Sequence, residues 1–209
     1  MKVEISGLYA ITQEAQDTVE LLHKVRLALQ GGVRLLQYRN KLGSAALRLQ
    51  QAMALRTLTH EFNVPLVIND DVQLASVVAA DGVHLGFEDG SIAAARQVLG
   101  REKLIGVSCY NRLELAQEAE AQGADYVAFG AFFASTVKPD AAMATLKLLT
   151  RARREINLPV VAIGGITAEN AGAVLSAGAH ALAVISALFN APDIRQEASK
   201  FAHLNTLFI

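Results

Sequence analysis

Cysteine occurs once in the chain, as Cys109. A single thiol closes no intrachain disulfide and forms no C-x-x-C metal cage. A reducing, cytoplasmic setting fits that count. An excess of either charge is also missing: 19 Lys and Arg stand against 20 Asp and Glu, a formal net charge of −1. This leaves no basic footprint for nucleic acid and no polybasic patch for a membrane surface. The start, Met1-Lys2-Val3-Glu4-Ile5-Ser6, carries no long apolar signal core. One uncharged stretch, Ala171 to Asn190, has the length of a membrane span. It is mostly Ala and Gly and breaks at Ala177-Gly178-Ala179-His180, so a helix, a cap and a buried strand are expected instead. No Ser-His-Asp order and no H-E-x-x-H motif appear, and Cys109 has no basic neighbour in sequence to activate it.

Apolar residues are plentiful. They make up 52% of the 209 residues, with 19% charged, enough to close a sizeable core. Short β-rich runs alternate with longer runs of helical period. The expected strands are Ser6–Ile11, Val33–Tyr38, Leu66–Asn69, Gly82–Leu85, Leu104–Ser108, Tyr126–Phe129, Val160–Ile163 and Ala181–Ile185. Most are unbroken apolar runs, the pattern of strands buried on both faces. Ser44–His60 and Asn111–Gln122 read as helices, the second with Asn111 as N-cap and Glu114 at capping-box spacing. A weak repeat places a glycine step before alternate strands: Gly31-Gly32, Gly82, Gly123 and Gly178, each read as a helix C-cap. Four double βα units predict an α/β fold, a single-domain (β/α)8 TIM barrel spanning residues 1–209. An open doubly wound sheet would need a G-x-G-x-x-G turn after the first strand, where Thr12-Gln13-Glu14 stands instead.

Polar residues gather at the C-terminal strand ends, where this barrel class carries its chemistry. After the second strand, Gln37, Arg39 and Lys41 alternate, so on extended backbone they point one way. Three converging donors suit an anion; a charged strand end facing water is the plainer reading. Asp70 follows the third strand and Asp89 the fourth. Two carboxylates with phosphate oxygens and water are a usual Mg²⁺ arrangement, although Asp70 or Asp71 also suits a helix N-cap. Gly164-Gly165 after the seventh strand and Ile185-Ser186 after the eighth suit a phosphate held by backbone N–H groups. His84, inside the fourth strand, reads as packed and hydrogen-bonded. His23, His60, His180 and His203 read as surface, and Cys109 as structural.

Over nearly the whole chain the sequence resembles the thiamine-phosphate synthase family. The resemblance rests on Gly7-Leu8-Tyr9-Ala10-Ile11-Thr12, Gln37-Tyr38-Arg39-Asn40-Lys41, Asn69-Asp70-Asp71, Gly82-Val83-His84-Leu85-Gly86 with Glu88-Asp89, Gly106-Val107-Ser108 and Ala162-Ile163-Gly164-Gly165-Ile166. It implies a transferase joining a hydroxymethylpyrimidine diphosphate to a thiazole phosphate, releasing diphosphate by Mg²⁺-assisted dissociative substitution. Carried over, Gln37, Arg39 and Lys41 would hold the pyrimidine diphosphate, with Tyr38, Asn40 and Asn69 beside it. Asp70 and Asp89 would hold Mg²⁺. Ser108 would contact the pyrimidine and Lys138 the departing diphosphate. Ser135, Thr136, Val137, Gly165, Ile185 and Ser186 would receive the thiazole phosphate. Arg39, Lys41, Ser108 and Lys138 are the implied catalytic set. A homo-oligomer is compatible with the apolar tail, Leu204 and Leu207-Phe208-Ile209, which packs on the barrel or on a partner.

Two positions depart from the family pattern: Val137 where a Thr is usual, and Phe87 where a Gln is usual. The first removes a hydroxyl donor to an anionic oxygen, on the order of 1.5–3 kcal/mol if nothing replaces it. A small-residue lid over Ala131 to Met143 is a further expectation. Two alternatives stand beside the synthase. One is a thiazole tautomerase-like paralogue, which should lack the full diphosphate-binding set present here. The other is a non-catalytic phosphate-binding barrel, hinted at only by Val137 and Phe87.

Overall fold

The computed structural model describes residues 3–86, 90–133 and 143–206. Eight parallel strands close into a barrel: β1 (Gly7–Ile11), β2 (Leu35–Tyr38), β3 (Leu66–Asn69), β4 (Gly82–Gly86), β5 (Leu104–Ser108), β6 (Tyr126–Phe129), β7 (Val160–Ile163) and β8 (Ala181–Val184). The seam pairs Gly7 with Ala181 and Ala10 with Val184. That closure excludes the open doubly wound sheet. Around it run α1 (Thr18–Gln30), α2 (Ala45–Glu61), α3 (Val72–Val77), α4 (Ile92–Leu99), α5 (Leu113–Ala121), α6 (Leu146–Glu155), α7 (Ala171–Ser176), α8 (Ser186–Phe189) and α9 (Ile194–Thr206). The uncharged stretch Ala171 to Asn190 resolves into α7, β8 and α8. Among the described residues no helix is long and apolar enough to cross a membrane.

The apolar runs are continuous because each strand is packed on both faces. In β1, Leu8 and Ala10 face the helices, whereas Tyr9 and Ile11 face the barrel interior. The outer layer joins Leu36, Ile68, Val83, Ile105, Val127 and Phe129 to Leu55 of α2, Leu149 of α6 and Phe201 of α9. The inner layer holds Leu35, Val67, Leu104, Tyr126, Val161, Ala181 and Ala183. Gly106 makes room for this packing: a Cβ there would run into the Tyr126 ring. The tail packs on the barrel through α9, whose Ala198 and Phe201 are fully buried. Leu207-Phe208-Ile209 lie outside the described residues.

The glycine repeat has a structural counterpart at the N-terminal end of the barrel. The residue just before each of β4, β6 and β8 reaches back to the start of the preceding strand. Asp81 Oδ2 accepts from Leu66 N at 2.8 Å and from Arg56 of α2 at 2.7 Å. Asp125 Oδ2 accepts from Ile105 N at 2.9 Å and from Arg96 of α4 at 2.7 Å. His180 Nδ1 accepts from Val160 N at 2.9 Å, with Arg153 of α6 against Nε2. His180 is therefore a half-buried structural group and not a surface one.

Two local expectations need correction. Gly82 is no helix C-cap. The left-handed turn after α3 falls on Ala79, at φ 51°, and Gly82 is required inside β4 because a Cβ would strike the Leu104 backbone of β5. Asn111 does not cap α5. Arg112 is the N-cap, without a side-chain cap bond, and its Nε binds Glu114 at 3.1 Å, so no capping box forms. The α2 start is as expected, with Ser44 accepting from Leu47 N at 3.2 Å.

Candidate active site

Gln37 is the last inward-facing residue of β2 and is buried, 2% exposed. Its Nε2 donates to Tyr9 Oη at 2.7 Å. From there a hydrogen-bonded line crosses the interior: Tyr9 Oη to Tyr126 Oη at 2.8 Å, Tyr126 Oη to His84 Nδ1 at 3.1 Å, and His84 Nε2 to Ser108 Oγ at 2.9 Å. His84 also stacks on Tyr126, with ring centroids 5.6 Å apart. Burial drives the Tyr9 and Tyr126 phenols well above the usual tyrosine range. It pushes His84 down to about 4, against the opposing pull of Asp70. At neutral pH all three are therefore uncharged. His84 is packed and hydrogen-bonded as expected, but it sits against Ser108, one of the expected substrate contacts.

Gln37, Arg39 and Lys41 do not all point one way, because extended backbone ends at Tyr38. Arg39 turns to Glu14, Nη1 to Oε1 at 2.8 Å, and its backbone is tied to β1 through Thr12 Oγ1, 2.9 Å from Arg39 N. Lys41 Nζ lies 2.9 Å from Asp70 Oδ2, which also accepts from Asn69 Nδ2 at 2.7 Å. Gln37, Asn69, His84 and Ser108 thus lie on the inner wall at the mouth, while Arg39, Lys41 and Asp70 lie on the rim. Asp71, not Asp70, is the N-cap of α3, accepting from Leu74 N at 2.9 Å. Asp70 is left to the site, in left-handed backbone at φ 60°. Beside the rim, between the loops after β2 and β3 and α3, a cavity of about 510 Å³ is lined by Tyr38, Lys41, Arg48, Asp70 and Leu74 among others, and Gln37, Arg39 and Ser108 do not line it. Arg48 also lies 3.4 Å from Asp71, and its Nε is buried without a partner among the described residues.

Tyr38 and Asn40 face outward and hold the loop. Tyr38 Oη donates to Gln51 Oε1 of α2 at 2.8 Å. Asn40 Nδ2 donates to Ala15 O at 2.7 Å, and Gly43 N donates to Asn40 Oδ1 at 2.9 Å. Burial pushes the Tyr38 phenol up to about 12.

Across the mouth, Gly164 and Gly165 take left-handed backbone after β7, φ 103° and 65°. Asn170 pins this turn, donating to Gly165 O at 3.0 Å and accepting from Thr167 N at 2.9 Å. Ile185 caps α8, which begins at Ser186. The chain leaving β6 is zipped to the same place: Phe133 N donates to Gly164 O at 3.0 Å, and Ala144 N returns to Ala131 O at 2.7 Å. The expected residues Ser135, Thr136, Val137, Lys138 and Asp89, together with Phe87 and most of the expected lid, lie outside the described residues.

Asp70 suits Mg²⁺ by chemistry. It is a half-buried carboxylate, a hard oxygen donor, already held against an ammonium and an amide. Among the described residues no group of three His, Cys, Asp or Glu could hold a metal unaided. A magnesium ion here therefore needs Asp89, substrate oxygens or water besides Asp70.

Several residues of the site escaped notice in the sequence: Tyr9, Tyr126, Glu14, Thr12 and Arg48. The strand period alone puts Tyr9 and Tyr126 indoors, and buried phenols require partners. Cys109 is buried, its Sγ 3.7 Å from Val107 O, and burial pushes its thiol up to about 12. It is inert at neutral pH.

Residues 8–188 match the family described as thiamine monophosphate synthase. The chain is 54% identical over 208 residues to thiamine-phosphate synthase of Thiobacillus denitrificans, covering 100% of this chain and 97% of that one. It is 55% identical over 201 residues to the enzyme of the same name from Nitrosospira multiformis, covering 96% and 86%. Its fold superposes on thiamine phosphate pyrophosphorylase from Pyrococcus furiosus with a TM-score of 0.87 and 35% identity, covering 97% and 96%. A barrel with polar groups gathered at this mouth, matched along its length by these relatives, belongs to the thiamine-phosphate synthase family.

Proposed function

We propose that this chain condenses 4-amino-2-methyl-5-hydroxymethylpyrimidine diphosphate with 4-methyl-5-(2-phosphoethyl)thiazole, giving thiamine phosphate and diphosphate. The observation that carries the reading is the division of the mouth. Neutral groups able to hold an aminopyrimidine (Gln37, Asn69, Ser108) line the inner wall. Cations able to hold a diphosphate (Arg39, Lys41), with a carboxylate able to hold a metal cation (Asp70), form the rim beside them.

The C–O bond to diphosphate breaks first, and its electron pair leaves with the diphosphate. The electron-rich aminopyrimidine carries the resulting cation. The thiazole nitrogen lone pair then closes the new C–N bond, so no protein nucleophile is needed. Arg39 and Lys41, with Lys138, stabilise the charge that gathers on the leaving group. Gln37, Asn69 and Ser108 fix the ring. The turn at Gly165, with Ser135 to Val137, Ile185 and Ser186, takes the thiazole phosphate, which sets the nitrogen beside the reacting carbon. Asp70 and Asp89 would hold Mg²⁺, which when bound would supply charge neutralisation at the diphosphate. Tyr38 and Asn40 serve the same substrate by holding the loop that carries Arg39 and Lys41. The setting we infer is cytoplasmic, consistent with the single buried Cys109.

Mixing the protein with both substrates tests this reading. Thiamine phosphate should accumulate, detected by mass spectrometry, and neither substrate alone should change. Isomerisation of the thiazole phosphate alone would favour the tautomerase instead.

A further inference from the structure

The line Gln37–Tyr9–Tyr126–His84–Ser108 joins five strands and two of the proposed pyrimidine contacts. With the Gln37 amide oriented as it stands, Nε2 toward Tyr9 Oη, its hydrogen atoms can be arranged in only one fully paired way. Among the described residues, Tyr9 Oη has two neighbours, Gln37 Nε2 and Tyr126 Oη. The amide can only donate, so the single Tyr9 proton must go to Tyr126. Tyr126 Oη, having accepted, gives its own proton to His84 Nδ1. A neutral imidazole then carries its proton on Nε2 and donates it to Ser108 Oγ. Ser108 has accepted, and its hydroxyl proton is free to leave the line. The reverse arrangement would strand the Tyr9 proton in a dry interior, where an unpaired donor is costly. The charge states of the phenols support this: burial keeps both protonated.

From this we propose that Tyr9, Tyr126 and His84 are positioning residues that fix the Ser108 hydroxyl as a hydrogen-bond donor toward the substrate, where it meets an acceptor nitrogen of the pyrimidine ring. The proposal rests on the pyrimidine reading of the site given above. It assigns the polarity of one contact and three residues that touch no substrate. Ser108, so held, discriminates against a ring that offers a donor at that point.

The direct test is the tautomer of His84, read by ¹⁵N NMR of the imidazole in the wild-type protein without substrate. The Nε2–H form is expected. Tyr126→Phe removes the donor to Nδ1 and should move the Nδ1 resonance toward that of an imidazole nitrogen without a hydrogen bond. In the same variant, KM for the pyrimidine diphosphate should rise on the order of tenfold while KM for the thiazole phosphate stays unchanged. Tyr9→Phe, which unties the line one step earlier, should move the same constant in the same direction. An Nδ1–H tautomer in an active wild-type protein overturns the assignment. So does a Tyr126→Phe variant with unchanged Nδ1 resonance and KM. A wild-type chain that makes no thiamine phosphate overturns the underlying substrate reading instead, whatever its tautomer. The wild-type NMR needs no variant to fold.

Discussion

The Lys41 ammonium lies 2.9 Å from the Asp70 carboxylate, at the junction of the loops after β2 and β3. The same oxygen accepts from Asn69. Lys41 is half exposed, so the pair adds little to stability. Its consequence is functional: a cation and a carboxylate are held together where diphosphate and Mg²⁺ are proposed to meet. Asp70→Asn should lower kcat on the order of 100-fold or more and raise the Mg²⁺ concentration needed for half-maximal rate. Thermal melting should change little. Rates measured across a Mg²⁺ titration check this; an unchanged Mg²⁺ dependence would remove Asp70 from the metal site.

Glu14 is the partner of Arg39 and also accepts from Leu42 N at 3.1 Å. It orients both the guanidinium and the loop. Glu14→Gln should raise KM for the pyrimidine diphosphate several-fold, roughly 3- to 10-fold, with the thiazole phosphate KM unchanged. Steady-state kinetics with each substrate varied in turn measure the split.

Gly106 faces the Tyr126 ring with no space for a methyl group. Gly106→Ala should therefore destabilise the barrel by about 1–3 kcal/mol, as overpacking does. Denaturant unfolding gives the figure, and a variant as stable as wild type would contradict the packing described.

His180 is held neutral by burial first and by the neighbouring Arg153 guanidinium second. Its folded pKa lies below the ordinary histidine value, so the unfolded chain binds a proton that the folded chain refuses. Stability is complete above the unfolded value and falls as pH drops below about 6.5. His180→Asp places a carboxylate where Asp81 and Asp125 already clamp their arginines. It should remove that part of the acid sensitivity, seen in melting curves between about pH 5 and 7.

Much of the barrel was legible because period and apolar continuity are local properties. All eight strands lie where the runs predicted, and the ends that moved did so for particular reasons. Ile185 leaves β8 because it caps α8, and Val33 precedes β2 because its N–H still closes the end of α1, donating to Ala28 O at 3.4 Å. The caps were less legible. Asn111 has the right side chain for capping, yet Arg112 holds the position, and spacing alone does not choose between adjacent residues. At the site, Asp70 and Asp71 are neighbours of one residue type, and only the backbone turn at Asp70 separates rim from cap. Tyr9 and Tyr126 are 117 residues apart. Their contact depends on closure of the barrel, which no sequence window contains.

In the proposed reaction this mouth transfers a pyrimidinylmethyl group from diphosphate to a thiazole nitrogen. Its most direct measurement is an endpoint assay of the purified protein with both substrates, with Mg²⁺ and with chelator, quantifying thiamine phosphate and diphosphate together. Equimolar products should appear with Mg²⁺ and vanish with chelator. No thiamine phosphate with Mg²⁺ present, despite measurable binding of the thiazole phosphate, would contradict it.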